Sequence, residues 1–255
     1  MIIGHTLLGN GAEKVVVLHG WFGDHTVFAP LFPMLDLDTF TYAFIDYRGY
    51  GKSKEMQGKY SMQEISADIV ALVDSLHWDR FHLLGHSMGG FAMQHVMLAV
   101  APRSRVKTLV GIGPVPASAY PLDVEAQVLF NDAISEDEAR YAILDFTTGH
   151  RHSATWLNYM VERSHATTTP AAYAAYLSAW TSGSIVEAIQ GLEIPVLVCI
   201  GEYDLAFTPV FMSTTWLSWF PNAALVIIPN AGHYPMQETP VHLVTCMESF
   251  LKRNA

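Results

Sequence analysis

Residues 83–91 read LLGHSMGGF, which sets Ser87 in a G-x-S-x-G pattern between an apolar run and a segment of helical character. A serine hydroxyl is a weak nucleophile until a base takes its proton. Held on a sharp strand-to-helix turn, it becomes exposed, and the helix beyond presents free N–H groups to any developing oxyanion. The chemistry this arrangement suits is attack on a carbonyl carbon. The five-residue pattern arises often by chance, so its meaning depends on partners elsewhere in the chain.

A nucleophilic serine needs a histidine, and the chain has 12. His150, His152 and His165 fall in a helix-rich stretch, where exposed or packed histidine is the ordinary expectation. His86 adjoins the serine, but its side chain is expected to point away from the active side of the turn. His233 stands apart, in NAGHYP, between a strand-like run and the last helix. Asp204 closes the preceding strand-like run in GEYD and supplies the acceptor that fixes a catalytic imidazole's tautomer. Ser87, Asp204 and His233 each follow a strand, on the sheet edge that carries ligands.

An acyl-transfer site also needs oxyanion donors. The backbone N–H of Met88, next to the nucleophile, is one, and that of Trp21 in HGWFGD (19–24) is the other, with Gly20 allowing close approach. No H-x-x-x-H or H-x-H-x-D grouping with carboxylate support suggests a metal site. GYGKS (49–53) ends like a phosphate-binding loop, but the glycine needed five residues before Gly51 is Asp46. A nucleotide site is not expected.

Residues 14–20, 40–49, 80–87, 106–113, 195–204 and 224–233 are the runs that must position these groups. Their near-continuous apolar character suits strands buried on both faces, and IIGHTLLG adds an antiparallel edge strand. Helical patterns separate them. Ser61 and Glu64 have capping-box spacing, and Thr239-Pro240 reads as an N-cap with proline at the first helical position. This alternation predicts a doubly wound α/β fold, a mostly parallel sheet flanked by helices. From residue 116 to about 185 the strand-like runs vanish. There Tyr173, Tyr176, Leu177 and Trp180 share one helical face, and the stretch reads as a helical cap inserted in a core of 1–115 and 186–255.

Composition bounds the partners. The net charge of −10 argues against a nucleic-acid backbone, and no apolar run is long enough to span a membrane. Two distant cysteines, Cys199 and Cys246, make no disulfide framework. With no basic-then-apolar leader pattern, the expected setting is cytoplasmic.

Taken together, HGWFGD, DYRGYGKS, GHSMGG, GEYD and AGHYP resemble the α/β-hydrolase superfamily over nearly the whole chain. That resemblance implies Ser87 as nucleophile, His233 as base, Asp204 as orienting acid, and Trp21 and Met88 as oxyanion donors. Many relatives carry a proline four residues after the triad aspartate, whereas here Pro209 comes five after Asp204. The expected activity is cofactor-independent hydrolysis of a small to medium, largely apolar carboxylic ester. Phe22, Trp156, Tyr159, Tyr176 and Trp180 are the expected substrate contacts. The same triad also fits a lactone, a thioester, a carbon–carbon bond beside a ketone or cofactor-free dioxygenation. A small-molecule sensor without turnover is a further alternative.

Overall fold

A computed structural model describes residues 2–101 and 104–255. Its seven strands are β1 (His5–Leu8), β2 (Glu13–Leu18), β3 (Phe40–Ile45), β4 (Phe81–His86), β5 (Val106–Ile112), β6 (Val196–Gly201) and β7 (Ala223–Ile228). They form one sheet in the order β1-β3-β2-β4-β5-β6-β7, with only β1 antiparallel to its neighbour. β3, β4 and β6 are buried along their whole length, as their unbroken apolar runs require. The edge strand β7 is partly exposed along its length, with only Ile228 buried.

The strand order carries the functional consequence. From β2 the chain steps to β3 on one side, then crosses back to lay β4 on the other. The loops after β2 and β4 therefore diverge at a topological switch point, where α/β sheets open a crevice at the carboxyl ends of the strands. HGWFGD and GHSMGG lie in that gap, with Leu18 paired to Gly85.

Helices α1 (Met62–Ser75) and α2 (Met88–Val100) pack on each other, and α2 covers β4, β5 and β2. Four helices then run between β5 and β6: α3 (Val124–Asp132), α4 (Asp137–Thr147), α5 (Ala154–Thr167) and α6 (Pro170–Thr181). Short turns α7 (Val186–Ile189), α8 (Pro209–Thr214), α9 (Trp216–Trp219) and α10 (Pro235–Glu238) precede the final α11 (Pro240–Arg253). Asp123, Ser153 and Thr169 cap α3, α5 and α6 by accepting from the Ala126, Trp156 and Ala172 amides.

Two expected helix starts differ in detail. Ser61 accepts from the Glu64 amide at 3.2 Å, but the Glu64 carboxylate takes the Tyr60 N–H at 2.8 Å, not that of Ser61. Pro240 does open α11, whereas the Thr239 hydroxyl caps nothing. α10 runs directly into that corner, where the Thr239 N–H is spent on the Pro235 carbonyl and φ −140°, ψ 57° departs from N-cap geometry.

The DYRGYGKS stretch ties the fold together. Asp46 accepts from the amides of His25 and Lys52, both at 2.9 Å. Arg48 forks onto Asp68 at 2.7 and 2.8 Å, fastening the loop after β3 to α1. In the helical segment, the buried Arg140 donates to the carbonyls of Ala133 and Ile134 and to the Ser164 hydroxyl. Its guanidinium lies 4.1 Å above the Tyr173 ring, joining α4 to α5 and α6.

Candidate active site

Ser87 follows β4 at φ 53°, ψ −118°, a conformation that a non-glycine residue adopts only under constraint. Backbone bonds on both sides hold it there. Its N–H donates to Ile112, and its carbonyl accepts from Gly90 and Val115, at 2.8 to 3.0 Å. Gly89 lets the turn close on the neighbouring strand, because a Cβ there would stand 2.6 Å from the Leu18 carbonyl oxygen. The serine is thus lifted from the end of a buried strand at the start of a 13-residue helix.

The loop after β7 brings His233, and the loop after β6 brings Asp204; both are about 95 % buried. Nδ1 of His233 lies 2.7 Å from Oδ2 of Asp204. The other Asp204 oxygen accepts from the amides of Ala206 and Phe207, each at 3.0 Å. That inner turn forms without a proline at its fourth position, and Pro209 instead opens α8. The His233 N–H bonds to the Thr147 carbonyl at 3.0 Å, and its ring stacks on Phe207. With Nδ1 engaged by a carboxylate, Nε2 is the nitrogen available to exchange a proton.

His86 is a supporting residue that the sequence reading underrated. It does not line the cavity, in keeping with its expected direction, but its Nε2 donates to the His233 carbonyl at 2.9 Å. Burial holds its imidazole well below the usual histidine range, so it stays neutral 4.8 Å from the His233 ring.

Ser87 and His233 open on one cavity of about 320 Å³, the lower end of the range for small-molecule sites. Trp21, Phe22, Tyr120, Phe130, Trp180 and Phe207 supply its aromatic wall. Burial beside Asp204 pushes the Tyr120 phenol up to about 12, so it remains protonated. Among the described lining residues there is no lysine or arginine, while Asp123 and Glu125 are exposed members of the lining. Among the described residues, the backbone N–H groups of Trp21 and Met88 donate to no protein acceptor.

Of the five expected substrate contacts, the structure brings Phe22 and Trp180 to this cavity and places three elsewhere. Tyr176 points the other way along α6, into a cluster with Tyr47, Tyr50 and Tyr60. Trp156 packs between His152 and Tyr234, outside the lining. Tyr159 is exposed beside a separate small cleft near Asp24 and Arg163. A shared helical face does not mean a shared destination, since successive turns of α5 and α6 meet different neighbours. Phe207 and Tyr234 could have been found by adjacency to Asp204 and His233. Tyr120, Leu129 and Phe130 carry no such signal.

Asp24, His25 and Asp46 hold potential ligand atoms within 4.8 Å of one another. Their bonds are internal: Asp46 takes the His25 and Lys52 amides, and Asp24 caps the following turn and pairs with Arg163.

The comparisons with known proteins bear on the family and the fold. The family profile described as alpha/beta hydrolase fold matches residues 14–240. The chain is 27 % identical over 249 residues to the 2-hydroxy-6-oxononadienedioate/2-hydroxy-6-oxononatrienedioate hydrolase of Cupriavidus pinatubonensis, covering 90 % of this chain and 83 % of that protein. It is 38 % identical to the human serine hydrolase-like protein, but over only 78 residues, 30 % of this chain and 38 % of the human one. A hydrolase from Oleispira antarctica superposes with a TM-score of 0.87 at 19 % identity, covering 99 % of this chain and 95 % of the other. No helix among the described residues is long and apolar enough to cross a membrane.

Proposed function

The chain belongs to the alpha/beta hydrolase fold family, and on that premise we propose that it is a serine carboxylesterase acting on small to medium, largely apolar esters. Ser87 Oγ attacks the ester carbonyl while His233 Nε2 takes the hydroxyl proton. Asp204 holds the imidazole in the Nδ1–H tautomer and stabilises its charged form. The tetrahedral oxyanion is met by the N–H groups of Met88 and Trp21. As the intermediate collapses, His233 protonates the departing alcohol and leaves an acyl group on Ser87. The same imidazole then takes a proton from water, whose oxygen attacks the acyl carbon and releases the acid. The helices of residues 116–185 act as the cap that keeps bulk water from the cavity.

The observation that carries this reading is the cavity that Ser87 and His233 both line: small, aromatic and without a lysine or arginine among its described lining. A buried substrate carboxylate would need a cation or several N–H donors to replace its water. Asp123 and Glu125 carry the same negative charge as such a substrate. This disfavours a dicarboxylate substrate of the kind named for the Cupriavidus relative. A neutral lactone meets the same cavity without penalty, and is the second reading that this observation favours.

A fluorophosphonate probe is expected to label the protein and not Ser87→Ala, and equal labelling of both would remove Ser87 from the chemistry. A panel of p-nitrophenyl esters of rising acyl length, run beside lactones and thioesters, ranks the substrate classes. Fast turnover of several simple esters supports esterase action. Ligand binding with turnover near one per hour would replace it with a sensing role.

A further inference from the structure

The backbone of the loop after β2 is held from behind by three buried side chains. The His19 carbonyl accepts from the Tyr47 hydroxyl at 3.0 Å, and the Trp21 carbonyl accepts from the Tyr50 hydroxyl at 2.9 Å. Between them, the Gly20 carbonyl oxygen lies 2.7 Å from Nδ1 of His19. A carbonyl can only accept, so Nδ1 carries the proton. Nε2 is then left as an acceptor, and the Tyr47 amide lies 3.4 Å from it. His19, Tyr47 and Tyr50 are fully or almost fully buried, and their rings pack together at 4.1 and 4.8 Å.

The middle bond matters most. A trans peptide is planar, and its C=O and N–H point in opposite directions. The carbonyl of Gly20 and the N–H of Trp21 belong to one such plane. Drawing the carbonyl toward the His19 ring turns the Trp21 N–H away from it. The flanking bonds to Tyr47 and Tyr50 prevent the neighbouring planes from rotating in compensation. On the front side, the Trp21 indole is fixed separately by its N–H to the Tyr173 carbonyl at 2.8 Å and by stacking on the Tyr173 ring.

We propose that His19, Tyr47 and Tyr50 form a positioning clamp that aims the Trp21 N–H at the oxyanion formed on Ser87. The clamp touches neither substrate nor nucleophile. It rests on the reading of Ser87 as the nucleophile, and it adds three residues that set how well the transition state is bound. Because it acts on a donor used fully only in the tetrahedral state, loosening it lowers kcat and leaves KM nearly unchanged.

The test compares Tyr50→Phe, His19→Phe and His19→Asn with the wild type, using p-nitrophenyl butyrate and an alkylboronic acid that forms a tetrahedral adduct on serine. Tyr50→Phe and His19→Phe are expected to lose about tenfold or more in kcat, within the 10²–10³ that removal of one whole oxyanion donor costs. KM stays within about twofold, and boronate inhibition weakens by the same factor as kcat. His19→Asn restores most of the loss, because its amide N–H can stand where Nδ1–H stood. Tyr60→Phe, in the same aromatic cluster, serves as the control and is expected to match the wild type. If His19→Phe does not fold, Tyr47→Phe carries the same expectation.

Folded Phe variants with wild-type kcat and boronate inhibition would overturn the clamp, as would a loss confined to KM. A loss in Tyr60→Phe equal to that in Tyr50→Phe would overturn it too. Hydrolysis that survives Ser87→Ala would instead defeat the nucleophile assignment, which is a separate result.

Discussion

Oδ2 of Asp204 lies 2.7 Å from Nδ1 of His233, while Oδ1 of the same carboxylate is held by two amides of its own loop. The two oxygens therefore have different tasks. Oδ1 shapes the turn after β6, and Oδ2 aligns the imidazole.

Asp204→Asn tests that division. The Ala206 and Phe207 amides require an oxygen at the Oδ1 position, so the new NH₂ falls at Oδ2 and donates to Nδ1. The ring proton is then forced onto Nε2, the atom that receives the serine proton in the proposed route. We expect kcat to fall about 10³–10⁴-fold while the fold is retained, measured by ester hydrolysis and near-ultraviolet circular dichroism. Residual activity above a tenth of wild type would refute this role.

Gly113 stands behind the same pair. Its φ is +47°, and a Cβ there would lie 2.8 Å from His233 Nδ1 and 3.3 Å from Asp204 Oδ2. Gly113→Ala is expected to push the imidazole off line and lower kcat by about 10²-fold, the scale of a displacement near 1 Å. The positive φ adds a stability loss of about 1–2 kcal/mol. Steady-state kinetics and urea unfolding check the two parts.

The acidic lining predicts a charge preference. A neutral hexanoate ester should have a lower KM than the monoester of adipate, which has a carboxylate at its far end. In Asp123→Asn with Glu125→Gln, KM for the anionic ester should fall about two- to fivefold at low salt and by much less at 0.5 M, because exposed charges are screened. Asparagine preserves the cap on α3. An equal change in KM for the neutral ester would show that shape, not charge, is responsible.

Asp46 predicts an acid-dependent stability. Burial alone would raise its carboxyl, but the bonds from the His25 ring and from the His25 and Lys52 amides hold it below the usual aspartate value of 3.8. A depressed pKa contributes stability that is present above the unfolded value and lost as pH falls through the folded one. Asp46→Asn should therefore cost about 1–3 kcal/mol at pH 7. The gap to wild type should close below about pH 4, as the unfolded carboxyl begins to bind its proton. Urea unfolding at pH 7, 5, 4 and 3 measures it, and a gap that widens in acid would contradict the assignment.

Much of this protein was legible along the chain because the deciding physics is local. Strands buried on both faces must be nearly unbroken apolar runs, and KVVVLHG, RFHLLGHS and PVLVCIG are. Ser87, Asp204 and His233 could be placed after strands from their immediate neighbours alone, and the helical stretch before β6 was visible as lost β character. What could not be read was which side chain meets which across the fold. Trp180 and Tyr176 share a face of α6, yet one lines the cavity and the other packs among tyrosines. His86 looked idle, and only the path of the β7 loop gives it the His233 carbonyl.

The sequence by itself determined the alternation of elements and the residue types at their ends, because periodicity and turn chemistry act over a few residues. Tertiary structure alone decided the strand order that crosses β4 back beside β2. It also brought Asp204 and His233 to 2.7 Å, and set Tyr47 and Tyr50 behind the loop that bears Trp21. Those are distances between segments tens of residues apart, fixed by packing throughout the core rather than by any neighbouring pair of residues.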